Sequence, residues 1–369
     1  MHVIIGLEAS GAELFLQRLA QKQQGRYDDV LVVSLSSDGV LAEPLRALGV
    51  KVFALELKSI TGFPGVILRL RRLIRTEAPD IIQSWMYHAD FVTSIAVLGL
   101  KHRLIWSVRC THVPAGSKIT YAVMKLCAYL SNLIPKKICY VAESAMLNHH
   151  DKGYNKNKSI YIPNGYDFAS FQFDENKRKH YRNLIKLTDD TLLVGAVGRF
   201  HQDKGQDLLF NAFKLQLTTL PNLKLLLVGR GCDSNNDALV TLLRKLALED
   251  AVILVGEQTD VAGWLSAMDV YVMPSRTEGF PNALAEAMAV GLPCVATNVG
   301  DATILANRFA LLCEPTVISI TQMLGKMLVM SVESRTDIGN NAAVWVRKSF
   351  SISAIEQKYH QLYLQTLEF

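Results

Sequence analysis

One pattern recurs through the chain and limits its fold more than any other feature. A short run of apolar, largely β-branched residues is followed by a segment whose apolar residues return every three to four positions. The runs fall at 3–6, 30–34, 51–55, 80–84, 103–108, 137–141 and 159–162; in the segment 12–23, Ala12, Phe15, Leu16 and Leu19 share one helical face. Runs apolar at successive positions are strands buried on both faces, and strands alternating with helices predict a parallel sheet covered by helices. The pattern restarts at 192–197, 223–228, 252–255, 270–273 and 293–296, with helices predicted over 207–217, 237–248 and 282–290. Between the halves lie the turn signal Pro163-Asn164-Gly165 and the charged run Asp174-Glu175-Asn176-Lys177-Arg178-Lys179.

The expectation is therefore an α/β chain of two Rossmann-like domains. The first spans 1–168, a linker 169–188 and the second 189–348, and a C-terminal helix over 349–369 packs back on the first. Two doubly wound domains in tandem usually leave a cleft, with ligands at the C-terminal ends of the strands. The 369 residues suit two domains, and half of them are hydrophobic against 20% charged, which excludes a disordered chain. No solenoid repeat is present.

Charge is unevenly spread. Residues 1–165 hold 20 Lys and Arg against 12 Asp and Glu, and the remainder holds 19 against 22. The basic half and the slightly acidic half should meet different partners. The six scattered cysteines read as reduced, buried small hydrophobes. The N-terminal residues lack a signal-peptide pattern, and the longest apolar run, 91–100, stops at Lys101, too short to span a membrane.

The segments carrying chemistry follow strands. Pro274-Ser275-Arg276-Thr277-Glu278-Gly279-Phe280-Pro281-Asn282 leads into the helix that bears Glu286, and the amides of a helix start attract anions. Seven residues separate Glu278 from Glu286, so the two should serve different parts of an elongated ligand. Gly198-Arg199-Phe200-His201-Gln202-Asp203-Lys204-Gly205 follows another strand. Arg199 offers a planar fork for phosphate, and Lys204 a mobile charge. Gly229-Arg230-Gly231 adds a third glycine-bearing turn on the same sheet edge. In the first half, Ser10-Gly11 opens the first helix. Neither GxGxxG nor the GxxxxGK[ST] phosphate loop occurs. His88 follows the strand 80–84, with Asp90 placed either to orient it or to cap the helix.

At these residues the chain resembles the family 4 retaining glycosyltransferases of GT-B fold. EGFPNALAEAMAVGLPCVATNVGD and GRFHQDKGQDLLF carry the resemblance; QSWMYHADFVTSIAVLGL, VAESAMLNHHDKGY and YIPNGYDF are similar to the branch that builds O-antigen and capsule. By that resemblance Arg199 and Lys204 bind the donor diphosphate, Glu278 the donor-sugar hydroxyls and Glu286 the nucleotide ribose. The amides of Gly279, Phe280 and Asn282 surround the phosphates, Gly229 belongs to the same nucleotide-sugar site, and Gly11 faces the β-phosphate from the opposite domain. Catalysis falls to Glu278, Arg199, Lys204 and His88, and the acceptor side to His88, Arg109 and His112. The chain departs from its relatives at Ser10-Gly11, where Gly-Gly is frequent, at Cys110, where His or Asn is frequent, and after Asp301.

The resemblance implies transfer of a hexose or N-acetylhexosamine from a nucleoside-diphosphate sugar, with UDP expected, to a lipid-linked glycan. With no second carboxylate placed for a double displacement, a front-face substitution is expected, its barrier lowered by positioning and electrostatics. No Asp-X-Asp motif appears, so neither metal nor cofactor is expected. Rival readings are a sugar-nucleotide epimerase of the same fold and a non-catalytic binding subunit. The segment 121–134, followed by Lys136 and Lys137, has apolar residues at helical spacing and basic flanks, which suits the inner face of the cytoplasmic membrane. A cytoplasmic protein, peripheral on that membrane, is expected; with no RNA-binding motif or DNA module, nucleic acid is not an expected partner.

Overall fold

The structure is a computed structural model and describes residues 1–27, 29–59, 62–110, 117–188 and 190–368. They divide into two compact units, Met1–Asp167 with Phe350–Phe369, and Phe168–Ser349.

Among the described residues, the first unit holds a parallel sheet of seven strands: β1 His2–Ile4, β2 Leu31–Ser34, β3 Lys51–Ala54, β4 Ile82–Trp85, β5 Leu104–Val108, β6 Lys137–Tyr140 and β7 Ser159–Tyr161. Their order is β3-β2-β1-β4-β5-β6-β7. Successive side chains of a strand point to opposite faces, and here both faces are covered. Val3 joins Val33, Val66 and Trp106 on one face, while Ile4 joins Leu16, Val32 and Ile105 on the other. Each large side chain so buried is worth about 1.5–3 kcal/mol, so strands of three to five residues suffice.

The second unit repeats this order. Its strands are β8 Leu192–Val197, β9 Leu223–Val228, β10 Val252–Leu254, β11 Val270–Met273, β12 Cys294–Thr297 and β13 Leu311–Cys313, arranged β10-β9-β8-β11-β12-β13. In each sheet the order reverses beside the first strand, between β1 and β4 and between β8 and β11. Ligands of such sheets bind at the C-terminal ends of the strands flanking that reversal.

Three details differ from the sequence reading. The strand β13 is added at an edge, from a run of only three residues. The helix predicted to reach 248 ends at Leu246, because Ala247 adopts a left-handed φ of 53° and the Leu248 amide turns back to the Leu243 carbonyl at 3.0 Å. The segment 169–188 holds a packed helix, Glu175–Leu184, inside the second unit. Asp174 caps it, and Arg178 and Arg182 grip Asp269 at 2.6 and 3.3 Å and donate to the carbonyls of Ser266, Ala267 and Met268. Arginines satisfying carbonyls leave no apolar stripe, so the segment reads as solvated.

At the other end, Ser351 bridges to Tyr166 and caps the helix Ile352–Leu367. Ile355, Tyr359 and Leu362 of that helix pack into the first unit with Phe15, Leu19 and Trp85.

Candidate functional site

In the second unit the reversal between β8 and β11 opens into a cavity of about 200 Å³. Gly198 and Lys204 enter its wall from the β8 side, Ser275 and Glu278 from the β11 side, and Asn282 and Glu286 from the following helix, Asn282–Val290. The helix begins at the cavity, so the positive end of its dipole lies there. Phe280, Pro281 and Ala283 complete that wall.

Lys204 and Glu278 meet directly. The Lys204 ammonium donates to Glu278 Oε1 at 2.7 Å, and Ser275 Oγ donates to the same oxygen at 2.7 Å. Glu278 is only 12% exposed against 30% for Lys204, so the carboxylate is the more enclosed partner. Ser275 is itself fixed, since Thr297 Oγ1 donates to its carbonyl at 2.6 Å.

The loops bearing Lys204 and Glu278 are bracketed by Arg276. Its guanidinium donates to both carboxylate oxygens of Asp207, at 2.7 and 2.6 Å, and to the Gln202 carbonyl at 2.9 Å. Its amide donates to the Asp203 carbonyl at 2.7 Å. The guanidinium holds the Asp207 carboxyl below the usual carboxylate range. The same loops touch at Gly205, the residue before the helix Gln206–Leu217. Its φ is 64°, and a Cβ there would stand 2.1 Å from the Pro274 carbonyl oxygen, so only glycine fits.

Tyr271 also lines the cavity, although sequence reasoning passed over it. It is fully buried, and burial pushes its hydroxyl far up, with Cys294, Glu278 and Glu286 adding to the effect. The phenol stays neutral.

Two expected contributors stand apart. The Arg199 side chain is exposed and lies outside the cavity wall, while its carbonyl accepts from Gln206 Nε2 at 2.8 Å. The Gly229 amide donates to the Gly256 carbonyl at 2.7 Å, so that amide belongs to the fold. Gly279 is in the β11 loop, where its carbonyl accepts from the Asp301 amide at 2.9 Å.

The first unit presents its candidates at its own reversal. Gly11 is exposed at the start of the helix Gly11–Gln24 after β1, with nothing within 4 Å of the place a Cβ would occupy. His88 lies in the first turn of the helix Met86–Ala96 after β4. It is half-buried, and burial lowers its pKa, so the imidazole is neutral at pH 7. Met86 before it holds a left-handed φ of 71°, uncommon outside glycine, where strand turns abruptly into helix.

Asp90 neither orients His88 nor caps the helix. Residues two apart on a helix do not face each other. The Asp90 carboxyl turns into the core and accepts from Ser84 Oγ at 2.6 Å, and burial pushes its pKa well above the usual carboxylate range. Arg109 is likewise drawn inward. Its guanidinium stacks over Phe15 at 4.3 Å and donates to Tyr359 and Asn164. It ties β5 to the C-terminal helix, and this contradicts a free acceptor-side cation. Cys110 contacts the Tyr87 hydroxyl at 3.1 Å. His112 lies outside the described residues.

Two Rossmann-like parallel sheets, one of which gathers two carboxylates, a lysine and a helix start around a cavity at its reversal, define a doubly wound α/β protein with a charged site at the strand ends. Comparison with known proteins agrees. The family description "Glycosyltransferase Family 4" matches residues 9–170, and "Glycosyl transferases group 1" matches residues 191–328. A UDP-Gal:alpha-D-GlcNAc-diphosphoundecaprenol alpha-1,3-galactosyltransferase of Escherichia coli is 30% identical over 283 residues, covering 73% of this chain and 70% of its own. The capsular polysaccharide biosynthesis glycosyltransferase CapM of Staphylococcus aureus is 26% identical over 305 residues, covering 80% of each. Among solved structures, Anabaena HepE in complex with UDP superposes with a TM-score of 0.83 at 20% identity, covering 99% of this chain and all of its own. The lipopolysaccharide glycosyltransferase WaaG gives 0.64 at 18% identity, covering 97% and 98%. The chain is a glycosyltransferase and belongs to family 4.

Proposed function

We propose that the chain moves a hexose or N-acetylhexosamine from a UDP-sugar to a lipid-linked glycan, with retention at the anomeric carbon, in assembly of a surface polysaccharide such as O-antigen or capsule. The observation that carries this reading is the cavity where Lys204, Glu278, Glu286 and the helix start at Asn282 converge. Support for UDP comes from the HepE complexes with UDP and with UDP-glucose, and for a polyprenol-linked acceptor from the name of the Escherichia coli relative.

Without donor, Lys204 and Glu278 neutralise each other. A diphosphate entering the cavity carries more charge than one carboxylate, so it draws the ammonium away. Glu278, still held by Ser275, is then released to accept hydrogen bonds from the sugar hydroxyls. The acceptor hydroxyl attacks the anomeric carbon on the face from which the diphosphate leaves. The bond from that carbon to the phosphate oxygen breaks, the new glycosidic bond forms, and the acceptor proton passes to the departing diphosphate. Lys204 and the helix start neutralise the developing charge, a role for which no divalent cation is invoked. The neutral His88 imidazole orients the acceptor.

The test is a panel of nucleotide sugars, reading nucleoside diphosphate release with and without membrane extract, and with and without EDTA. Release from one UDP-sugar, dependent on extract and indifferent to EDTA, is expected. Lys204→Ala should lower it about 10²- to 10³-fold, the scale of losing one preorganised charge-stabilising group. Failure to bind or cleave any donor, or an unaffected Lys204→Ala variant, would overturn the reading.

A further inference from the structure

The turn that leads to His88 is held by its neighbours rather than by its own preference. Met86, the first residue of the helix Met86–Ala96, has a φ of 71°. A residue other than glycine keeps that conformation only where its surroundings over-determine it, and such turns cluster at functional sites. Here the surroundings are specific. Met86 Sδ accepts from the Arg109 amide at 3.4 Å, and the Tyr87 carbonyl accepts from Cys127 Sγ at 3.5 Å. The shortest tie runs from the Tyr87 hydroxyl to His149 Nε2, at 2.7 Å; both side chains are fully buried, and His149 belongs to the helix Glu143–Asp151.

The direction of these bonds follows from their far end. The Ala145 carbonyl, 2.6 Å from His149 Nδ1, can only accept, so Nδ1 carries the hydrogen. Nε2 then accepts from the Tyr87 hydroxyl, and the hydroxyl oxygen is left to accept from the Cys110 thiol at 3.1 Å. The rings of Tyr87, Tyr140 and Tyr154 stand around the imidazole, with centroids at 5.7, 5.6 and 5.0 Å, and leave it little room to turn. One hydroxyl thus joins three segments: the helix after β4, the residues after β5 and the helix after β6. A buried polar chain whose members satisfy one another is rigid and specifies one arrangement.

Tyr87 and His88 are adjacent in sequence but about 100° apart around the helix. Tyr87 therefore enters the core while His88 stays half-buried at the sheet edge. We infer that Tyr87 is a positioning residue for the transfer: through its hydroxyl bond to His149 it holds the left-handed turn at Met86, and thereby the imidazole of His88 against the acceptor. Being fully buried, Tyr87 acts through His88 and not on the substrate itself. The inference rests on the acceptor role of His88 proposed above.

Tyr87→Phe keeps the ring and removes the tie. In the full chain it should lower kcat/KM for the acceptor about tenfold, the scale of a small misplacement, and leave UDP affinity unchanged. A double-mutant cycle with His88→Ala separates positioning from general support of the fold. Once His88 is alanine, Tyr87→Phe should add no more than about a twofold loss, because residues acting as one unit are not additive. An equal loss in both backgrounds, a weakened UDP titration, or a His88→Ala variant with full activity would each overturn the inference. A readout free of turnover is the NMR titration of the His88 imidazole, assigned by the signal missing from His88→Ala. Burial lowers the pKa of His88. Release of the turn should therefore raise its midpoint toward that of an exposed histidine, and an unmoved midpoint overturns the inference. This titration also keeps the two readings apart: a parent that uses no UDP-sugar defeats the proposed function, while the His88 midpoint still decides whether Tyr87 holds the turn. Adding Met86→Gly to Tyr87→Phe removes the strain, since glycine adopts a positive φ freely. The pair should fold even where the single variant does not and should recover part of the activity and of the His88 midpoint; a pair no better than Tyr87→Phe overturns the inference.

Discussion

The two units share one strand order, and Gly11 and Gly205 stand at corresponding places, beside the start of the helix that follows the first strand of each sheet. Their surroundings are opposite. Gly205 is locked by its φ of 64° and by the Pro274 carbonyl, whereas Gly11 has open space around it and an ordinary backbone. Beyond them, the second unit gathers a lysine and two glutamates around a cavity, while the first unit offers a neutral His88 and draws Arg109 and Asp90 into its interior. One scaffold thus supports a charged site whose own loops brace it and an open, nearly neutral one. Glycine in the second is a requirement of the fold; in the first, nothing in the fold requires it.

Alanine at each glycine separates these cases most sharply. Gly205→Ala must relieve both the left-handed φ and the contact with Pro274, so a loss of roughly 2–4 kcal/mol and near-complete loss of activity are expected. Gly11→Ala meets no atom and should leave stability unchanged or raise it by about 0.4–1 kcal/mol through the unfolded chain. A fall in donor affinity with that gain would show that the open space is used by ligand. Thermal unfolding and UDP titration of both variants read the two effects. Equal destabilisation would erase the distinction between the units.

The Arg276–Asp207 bracket comes next in size. Both groups are partly exposed, at 32% and 46%, so the pair itself adds little stability. Its consequence is positional, because Arg276 joins the turn that carries Lys204 to the loop that carries Glu278. Small misplacement of such groups is costly. Arg276→Lys should therefore lower kcat/KM about tenfold with little change in unfolding temperature, Asp207→Asn somewhat less. An unfolding shift as large as the activity loss would make the bracket merely structural.

That bracket also shows where sequence reading stops. Gly205, Lys204, Glu278 and Glu286 were legible because a strand ending in glycine, charge and a helix start is a local pattern, and the alternation of strands and helices fixed the sheet type. The Arg276–Asp207 pair spans 69 residues and exists only once β8 and β11 are neighbours. Tyr271 sits inside an apolar strand and reads as core, which it also is. Arg109 follows a strand as a binding cation would, but Phe15, Trp85 and Tyr359, which converge from distant segments, supply an apolar cradle that spacing does not reveal. The helix Glu175–Leu184 was hidden because its packing rests mainly on Arg178 and Arg182 bound to Asp269 and to carbonyls, with Tyr181 against Trp264 as a single aromatic contact that makes no stripe.

The smallest effect tests the interior of the first unit. Asp90 is fully buried, and burial raises its carboxyl well above the usual range; Ser84 Oγ is the donor to it. Because the folded-state pKa lies above the unfolded one, the folded chain binds more protons than the unfolded chain between those two values. The contribution of this group to stability is therefore complete below the unfolded value and declines as pH rises toward the folded one. Asn keeps the acceptor for Ser84 and has no proton to lose. Asp90→Asn should thus match the parent near pH 4, unfold at an equal or slightly higher temperature at pH 8, and flatten the pH dependence between. The second unit, whose Glu278 is matched by Lys204 and Ser275, should show no such gain from Glu278→Gln, which removes the charge that Lys204 answers. Thermal unfolding of the two variants from pH 4 to pH 8 decides the matter: a gain from Glu278→Gln, or a loss from Asp90→Asn throughout the range, would show that the units do not divide into a neutral interior and a charge-matched site.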